Sequence, residues 1–189
     1  MVQRSTLILL ALCLSLTGCS SSSNTASQPL TDTVVAKRVP VQVAVPKTWR
    51  QISDDALEKV GPNVVLAFSD DSVDGRGVRN LSVVEERLER PLSSLQYAYA
   101  NASLAAKNLE DYVKVQETDV TIKDANNTDI KTRWHLFEAR FDRKNPKRKY
   151  LQLYATQGYY GYTFTIQTVL DDLGLPQLEK LLTSFRFVK

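Results

Sequence analysis

Apolar and polar residues alternate along much of the chain after residue 38, which is the pattern of strands that bury one face. Residues 39–45 alternate and stop at Pro46, residues 64–68 are continuously apolar, and residues 81–88 alternate with charged outer positions. Four more strands are predicted farther along, at residues 112–122, 131–141, 149–156 and 160–169. The short polar loops between these four strands predict antiparallel hairpins.

Other segments change to a helical period. Between residues 91 and 109, Pro91 opens a predicted long helix whose apolar face is formed by Leu92, Leu95, Tyr99, Ala102, Ala106 and Leu109. One or two helical turns are predicted at residues 53–59, behind Ser53 as the N-cap. A final helix is predicted from Pro176, with Leu178, Leu181, Leu182 and Phe185 on one face, and "SFRFVK" is expected to be an edge strand. Strands grouped in runs, with few helices, predict an α+β fold.

The N-terminus has the layout of a secretory signal. Arg4 is followed by an apolar run at residues 7–16, which is too short to span a bilayer, since spanning takes about 20 apolar residues. "LTGC", at residues 16–19, resembles the lipobox of bacterial lipoproteins, which implies cleavage before Cys19 and a lipid on its sulfur. Several acyl chains together hold a protein stably at a membrane. We therefore predict a signal peptide at residues 1–18 and lipidation at Cys19; an ordinary secretory signal containing a cysteine is the alternative.

The segment behind Cys19 is predicted to be a tether. Residues 19–36 are rich in serine and other polar residues near their start, so they have little apolar surface to bury. Residues 37–189 are then expected to form one domain, because their length suits a single hydrophobic core. Loss of Cys13 with the signal would leave no second cysteine, so neither a disulfide nor a thiol metal site is expected.

Four segments carry a resemblance to a known family: "VAVPKTW" at residues 43–49, "NLSV" from Asn80, "PLSSLQYAY" from Pro91 and "LLTSFRF" from Leu181. Together they resemble the PsbP-like family, which includes the extrinsic PsbP subunit of photosystem II, a Ran-binding nuclear import factor and DcrB-type bacterial lipoproteins. The resemblance implies an αβα sandwich around an antiparallel sheet. It also implies a non-catalytic accessory or assembly role, and it supplies no catalytic residues.

Motifs for catalysis or metal binding are weak. His135 is the single histidine and lies in a predicted strand, so we expect a partly buried structural residue rather than a base or a metal ligand. Neither a G-x-S-x-G elbow nor a phosphate-binding glycine loop occurs. The "DDSVDGRG" loop from Asp70 lacks the acidic last ligand of a calcium-binding loop, and we interpret it as a solvated turn. Glu85 and Glu86 are adjacent on a strand, so they point to opposite faces.

A basic segment and a group of tyrosines are the remaining features. "RKNPKRK" supplies Arg143, Lys144, Lys147, Arg148 and Lys149 at a predicted hairpin tip. These residues either protect a sheet edge or contact anionic lipids or an acidic partner. Most of the tyrosines between residues 150 and 162, and those on the long helix, are expected in the core. A few exposed ones could form a binding face.

These features predict a non-catalytic, lipid-anchored protein of the cell envelope that acts by binding, as an accessory or assembly factor. It is expected at the outer membrane, facing the periplasm, if the cell has two membranes. A protein partner in the envelope is expected, with the chain itself monomeric, and neither a cofactor, a metal nor a nucleic acid. The formal net charge of +3 over 189 residues is too small for a general nucleic-acid binder. The alternative is a carrier or sensor of a small ligand, with a pocket between the sheet and the long helix.

Overall fold

The computed structural model describes residues 29–61, 63–70, 79–171 and 174–189. Cys19 and most of the "DDSVDGRG" loop lie outside the described residues, so what the sequence predicts for them stays a prediction. The elements run in the order β1 (Asp32–Val35), β2 (Val41–Val45), β3 (Trp49–Gln51), α1 (Asp54–Val60), β4 (Val64–Asp70), β5 (Arg79–Arg87), α2 (Ser94–Asn108), β6 (Glu110–Lys123), β7 (Asp129–Arg140), β8 (Arg148–Gln157), β9 (Tyr160–Thr168), α3 (Leu175–Thr183) and β10 (Arg186–Phe187).

The described strands form one sheet in the order β1-β2-β10-β6-β7-β8-β9-β5-β4-β3. Strands β6 to β9 are consecutive antiparallel hairpins, which confirms the prediction from the short loops between them. Strand β5 pairs antiparallel with β9 and continues the sheet to β4 and β3. Only β10 runs parallel to a described neighbour, at the single pair Arg186 and Lys123. The predicted α+β fold is therefore confirmed, although the sheet is mixed rather than purely antiparallel.

Helices cover both faces of the sheet. Helix α3 buries Leu178, Leu181 and Leu182 against the face that carries Leu151 and Leu153, in the largest hydrophobic cluster of the described chain. Helices α1 and α2 lie on the opposite face, where Ala105 packs near Phe137 and Leu57 near Ala67. This alternation follows from the strand period of two, which sends successive side chains to opposite faces. The expected αβα arrangement is thus present.

Aromatic residues near the C-terminus close the core beside α3. The ring centroids of Phe164 and Phe185 lie 3.9 Å apart, and those of Phe185 and Phe187 lie 5.1 Å apart. All three side chains are almost completely buried. Burial of one such side chain stabilises the fold by roughly 1.5–3 kcal/mol. Predicted buried positions in the final helix segment are therefore confirmed, with Phe185 just beyond the end of the helix.

The predicted face and start of the long helix are wrong in detail. Helix α2 begins at Ser94, and Ser93 caps it: its hydroxyl accepts from the Gln96 backbone amide, while the Gln96 side chain accepts from the Ser93 amide. Pro91 therefore lies before the helix rather than in its first turn. The buried residues of α2 are Ser94, Tyr97, Ala98 and Ala105, whereas the predicted Tyr99 and Ala106 are exposed. The sheet selects a stripe about one residue away from the one that apolar periodicity predicted.

The strands at the two ends of the described chain lie where the sequence did not place them. Strand β1 lies within residues 19–36, which were predicted as tether, and pairs with β2 from Asp32 opposite Val45 to Val35 opposite Gln42. Strand β10 was expected at an edge, yet it lies between β2 and β6. Its two residues pair with Val41 and Gln42 on one side. The sheet therefore starts earlier in the chain than expected, and a very short strand connects its two parts.

No helix in the described ranges is long and apolar enough to cross a bilayer.

Candidate functional site

The basic segment forms the connection between β7 and β8. After Arg140 ends β7, the Asp142 carboxylate accepts hydrogen bonds from the backbone amides of Lys144, at 2.7 Å, and Asn145, at 3.1 Å. These amide bonds lower the pKa of Asp142. An Asp that bonds the backbone two residues on is a common turn former. The turn is therefore stabilised locally, and it holds the lysines and arginines of this segment at one end of the sheet.

Three of the five predicted contact residues already have partners. Arg143 Nε lies 3.2 Å from a carboxylate oxygen of Glu110, and Lys147 Nζ lies 3.2 Å from a carboxylate oxygen of Glu138. Lys149 Nζ donates to the Leu170 carbonyl at 2.5 Å. Exposed ion pairs stabilise by only about 0–1 kcal/mol, so an external anion can compete for Arg143.

The remaining two, Lys144 and Arg148, have no acidic side chain within ion-pair distance among the described residues. Lys144 is exposed and Arg148 is partly buried. The turn therefore has less free positive charge than its five basic residues suggested, because three of them already have partners. The basic residues that make no ion pair are Lys144, whose charge is partly offset by the nearby Asp142 carboxylate, and Arg148 at the start of β8.

A shallow groove adjoins the same end of the sheet. It has a volume of about 500 Å³ and is lined by Glu110, Asp111, Arg140 and Arg143. Arg140 Nε donates to an Asp111 carboxylate oxygen at 2.6 Å, and Arg140 Nη1 donates to the Asn145 carbonyl at 3.2 Å. Asp111 has a φ of 51°, in the left-handed region that Asp adopts more readily than most residues. The groove therefore has charges that neutralise one another, and it does not lie beneath α2.

The interface between α2 and the sheet, where a ligand pocket was the alternative prediction, is packed around Tyr97. Its ring lies edge-on to Tyr154, with centroids 6.1 Å apart, and its hydroxyl lies 3.1 Å from Thr163 Oγ1. Gly161 lies directly beneath the ring: a Cβ built on it would lie 2.5 Å from Tyr97 Cζ. Tyr97 and Tyr154 are both nearly inaccessible to solvent. In this part of the interface the tyrosines fill the space that a ligand would need.

The side chains of Glu85 and Glu86 lie on opposite faces of β5, as predicted for adjacent residues of a strand. Glu86 meets the Tyr97 hydroxyl beneath α2, and its pKa is raised because burial outweighs that hydrogen bond. Glu85 instead interacts with Tyr162, which belongs to the core on the α3 side. The two groups therefore lie on opposite faces and cannot act on the same substrate atom.

His135 is buried, with 1% of its surface exposed, and its environment is not that of a catalytic base. Its Nε2 lies 2.8 Å from the Tyr112 hydroxyl and 3.9 Å from a Glu117 carboxylate oxygen. Its Nδ1 has no hydrogen-bond partner among the described residues. Burial lowers the pKa of His135 to about 4, against the weaker effect of the Glu117 charge. The imidazole is thus neutral at neutral pH, and within the described ranges no Ser hydroxyl or carboxylate lies within hydrogen-bond distance of it.

A row of polar side chains runs beneath α2, which sequence reasoning missed. Register places Glu117 opposite His135, His135 opposite Gln152, and Gln152 opposite Thr165. Gln152 donates to Thr165 Oγ1 at 3.0 Å and accepts from the Tyr154 hydroxyl at 2.6 Å. The letters alone give no strand register, so this alignment could not be found from them. These hydrogen bonds satisfy buried polar groups and specify how the strands align.

Most of the tyrosines in these segments are in the core, as predicted, but Tyr99, which was predicted on the apolar face of the long helix, is exposed. Tyr97, Tyr150, Tyr154 and Tyr162 are buried, whereas Tyr99, Tyr159 and Tyr160 are about half exposed. The Arg133 guanidinium lies over the Tyr99 ring, 4.5 Å from its centroid.

Across the part of the chain that the structure describes, no group of three His, Cys, Asp or Glu side chains could hold a metal ion.

Comparisons with known proteins give structural matches only. No family model and no curated protein sequence matches this chain. The solution structure of cyanobacterial PsbP from Synechocystis is 15% identical, with a TM-score of 0.56, and the match covers 90% of this chain and 98% of that one. The chain has the PsbP-like fold. The crystal structure of the Ran-binding protein Mog1p from Saccharomyces cerevisiae is 11% identical, with a TM-score of 0.54, and covers 84% and 95% of the two chains. At these identities the matches establish the fold and not the role.

Proposed function

We propose that this chain is a non-catalytic binding protein of the cell envelope, held at a membrane by a lipid on Cys19 and assisting a larger assembly. The observation that carries the proposal is the match to cyanobacterial PsbP, which extends over 90% of this chain. Mog1p, which has the same fold, is named as a Ran-binding protein, and this supports a binding role. The buried environment of His135 agrees with such a role.

Support for the lipid anchor comes from "LTGC" and from the polar residues behind it. Cys19→Ala should move the protein from the membrane pellet to the supernatant after cell disruption. Cys13→Ala is the matched control, because it removes the other cysteine and leaves the cleavage region intact. If Cys19→Ala stays in the pellet as completely as Cys13→Ala, the lipid is not the anchor.

Support for a contact surface at the β7–β8 turn comes from Lys144 and Arg148, which make no ion pair within the described chain. Amine-reactive cross-linking of the protein in its own membranes, read by mass spectrometry, should join Lys144 repeatedly to one envelope protein. Lys107, which is exposed near the end of α2, serves as the internal comparison. Links that are no more frequent at Lys144 than at Lys107 would remove this surface from the proposal. A map without any recurrent partner would argue against the accessory role itself.

A further inference from the structure

The groove at the start of β6 is lined by two acids and two arginines, and a β-bulge brings the acids together. Register with β7 is irregular between Glu110 and Val113, so one extra residue is inserted into β6 there. Asp111 lies in this bulge with a φ of 51°, far from the φ of a regular strand. Adjacent residues of a regular strand point to opposite faces, yet Glu110 and Asp111 both line the groove. Bulges re-aim side chains in this way next to active sites.

Each acid pairs with one arginine across the groove. Arg140, at the end of β7, donates from Nε to Asp111 at 2.6 Å. Arg143, in the turn that follows, donates from Nε to Glu110 at 3.2 Å. The four lining side chains carry two negative and two positive charges, so their charges sum to zero. The groove therefore has little net attraction for a simple anion or a simple cation.

These pairs leave hydrogen-bonding groups for a ligand. Within the described ranges Arg143 bonds only through Nε, and Arg140 bonds through Nε and Nη1, so each guanidinium keeps terminal N–H groups. Asp111 and Glu110 each accept at one carboxylate oxygen, and the other oxygen of each has no hydrogen-bond partner in that part of the chain. The groove thus presents free donors beside free acceptors, on side chains that solvent reaches.

A ligand with a single charge fits this groove poorly. An anion that binds Arg143 must approach the Glu110 carboxylate, and like charges side by side are unfavourable. An ammonium that binds the carboxylates meets the guanidiniums in the same way. A ligand with both charges avoids this cost, because its anionic group faces the arginines and its ammonium faces the acids. Charge complementarity therefore selects a zwitterion over either of its halves.

We propose that this groove binds a small zwitterion, in which an ammonium and an acidic group are close together. Free amino acids and the phosphoethanolamine headgroup of lipids share this chemistry. The groove volume of about 500 Å³ lies within the range of small-molecule sites, roughly 300–1,000 Å³. Because its charges contact water, we expect millimolar affinity that weakens as salt is added. The inference goes beyond the proposed function, and it depends neither on the lipid anchor nor on a protein partner.

NMR titration of the full-length chain, purified in a mild detergent, tests the selectivity. Glycine and O-phosphoethanolamine are the zwitterionic probes, whereas ethylamine, acetate and inorganic phosphate each carry one kind of charge. Binding is followed through the amide and arginine Nε–H shifts of the four lining residues. At least one zwitterion should bind about tenfold more tightly than the single-charge probes, because each half alone leaves a groove charge without a partner. Tighter binding of glycine identifies a free amino acid as the ligand, and tighter binding of phosphoethanolamine identifies a headgroup.

Two variants should change the selectivity in opposite directions. Asp111→Asn removes a carboxylate but keeps a residue that adopts the left-handed region readily, so the bulge is preserved. The groove then has a net positive charge, so zwitterion affinity should fall about tenfold while inorganic phosphate binds more tightly than to the wild type. Arg143→Gln, at a side chain that is 91% exposed, leaves a net negative charge, so ethylamine should gain affinity instead. A role limited to stabilising the turn would not exchange the preferred ion.

Asp129→Asn is the matched control. Asp129 is 65% exposed and pairs with Lys123 at the opposite end of the β6–β7 hairpin, so this variant removes an ion pair of the same kind outside the groove. Its affinities should equal those of the wild type. The proposal is overturned if neither zwitterion binds more tightly than its single-charge halves. It is also overturned if Asp111→Asn and Asp129→Asn have the same effect on zwitterion and phosphate binding.

Discussion

An added Cβ at Gly161 should lower the free energy of unfolding, because the ring of Tyr97 occupies the space that it would need. Gly161 lies in β9 between two strands, opposite Thr156 of β8 and Glu86 of β5, so its backbone is held on both sides. A Cβ at this position would lie 2.5 Å from Cζ and 2.7 Å from Cε2 of the Tyr97 ring. Real Cβ atoms do not approach ring carbons so closely, so the backbone or the ring must shift.

The ring has little room to move. Its hydroxyl is bonded to Thr163, its edge meets Tyr154, and α2 is joined to the sheet through it. Overpacking of a core costs about 1–3 kcal/mol, and a lost hydrogen bond adds about 1 kcal/mol. We therefore expect Gly161→Ala to lower the free energy of unfolding by about 3 kcal/mol, which for a domain of this size lowers Tm by about 6–12 °C.

Urea unfolding with and without the ring tests this explanation. In a Tyr97→Leu background the side chain is shorter, so Gly161→Ala should cost less than about 0.5 kcal/mol. Gly158→Ala is the matched control: it has open space but a φ of 60°, so strain alone should cost about 1 kcal/mol in either background. If Gly161→Ala is equally destabilising with Tyr97 and with Leu at position 97, contact with the ring is not the cause.

Three further predictions concern the core, the long helix and the buried histidine. Leu181→Ala, at a fully buried position of α3, should lower the free energy of unfolding by about 2–5 kcal/mol in urea, and an effect below about 1 kcal/mol would contradict this packing. Ser93→Ala should cost about 1 kcal/mol in the same assay through loss of the α2 cap, whereas Ser103→Ala, at an exposed site within α2, should cost little. The pKa of His135 is lowered to about 4 from a usual 6.5, so folding favours its neutral form. The free energy of unfolding should therefore be independent of this group above pH 6.5 and should fall by up to about 3 kcal/mol as the pH falls to 4. His135→Gln should flatten that part of the stability profile, and an unchanged slope would refute the assignment.

Local patterns in the sequence predicted where the strands and helices lie better than they predicted which residues of each element pack against the rest of the fold. The hairpins from β6 to β9 follow from alternation and short loops, since these signals act between neighbouring residues. The prediction placed the buried stripe of α2 wrongly because tyrosines and alanines occur on every side of this helix. Only the position of Gly161 in the sheet, which makes room for the ring of Tyr97, shows which of them faces inward. Contacts distant in sequence decided that choice.

The site was less predictable for the same reason. The basic residues from Arg143 to Lys149 predicted a charged turn. However, Glu110 of β6 pairs with Arg143, and Glu138 of β7 pairs with Lys147, so two of these positive charges are neutralised. His135 was expected to be partly buried and is almost completely buried, and its contact with Tyr112 depends on the register of β6 and β7. Strand β1 was missed because four residues among polar neighbours become a strand only when β2 is beside them.

The short strand β10 has a consequence for how the chain acquires its structure. Residues 186–187 connect β2, formed near residue 42, to β6, and Ser184 Oγ accepts from the Ala44 amide at 2.9 Å, a contact across 140 positions. Contacts so distant in sequence must overcome a large loop-closure entropy, which slows folding. The first two strands therefore cannot join the rest of the sheet until the last residues of the described chain are available. While the chain is being synthesised, its first two strands therefore stay unpaired with that sheet until almost all of the described chain has been made.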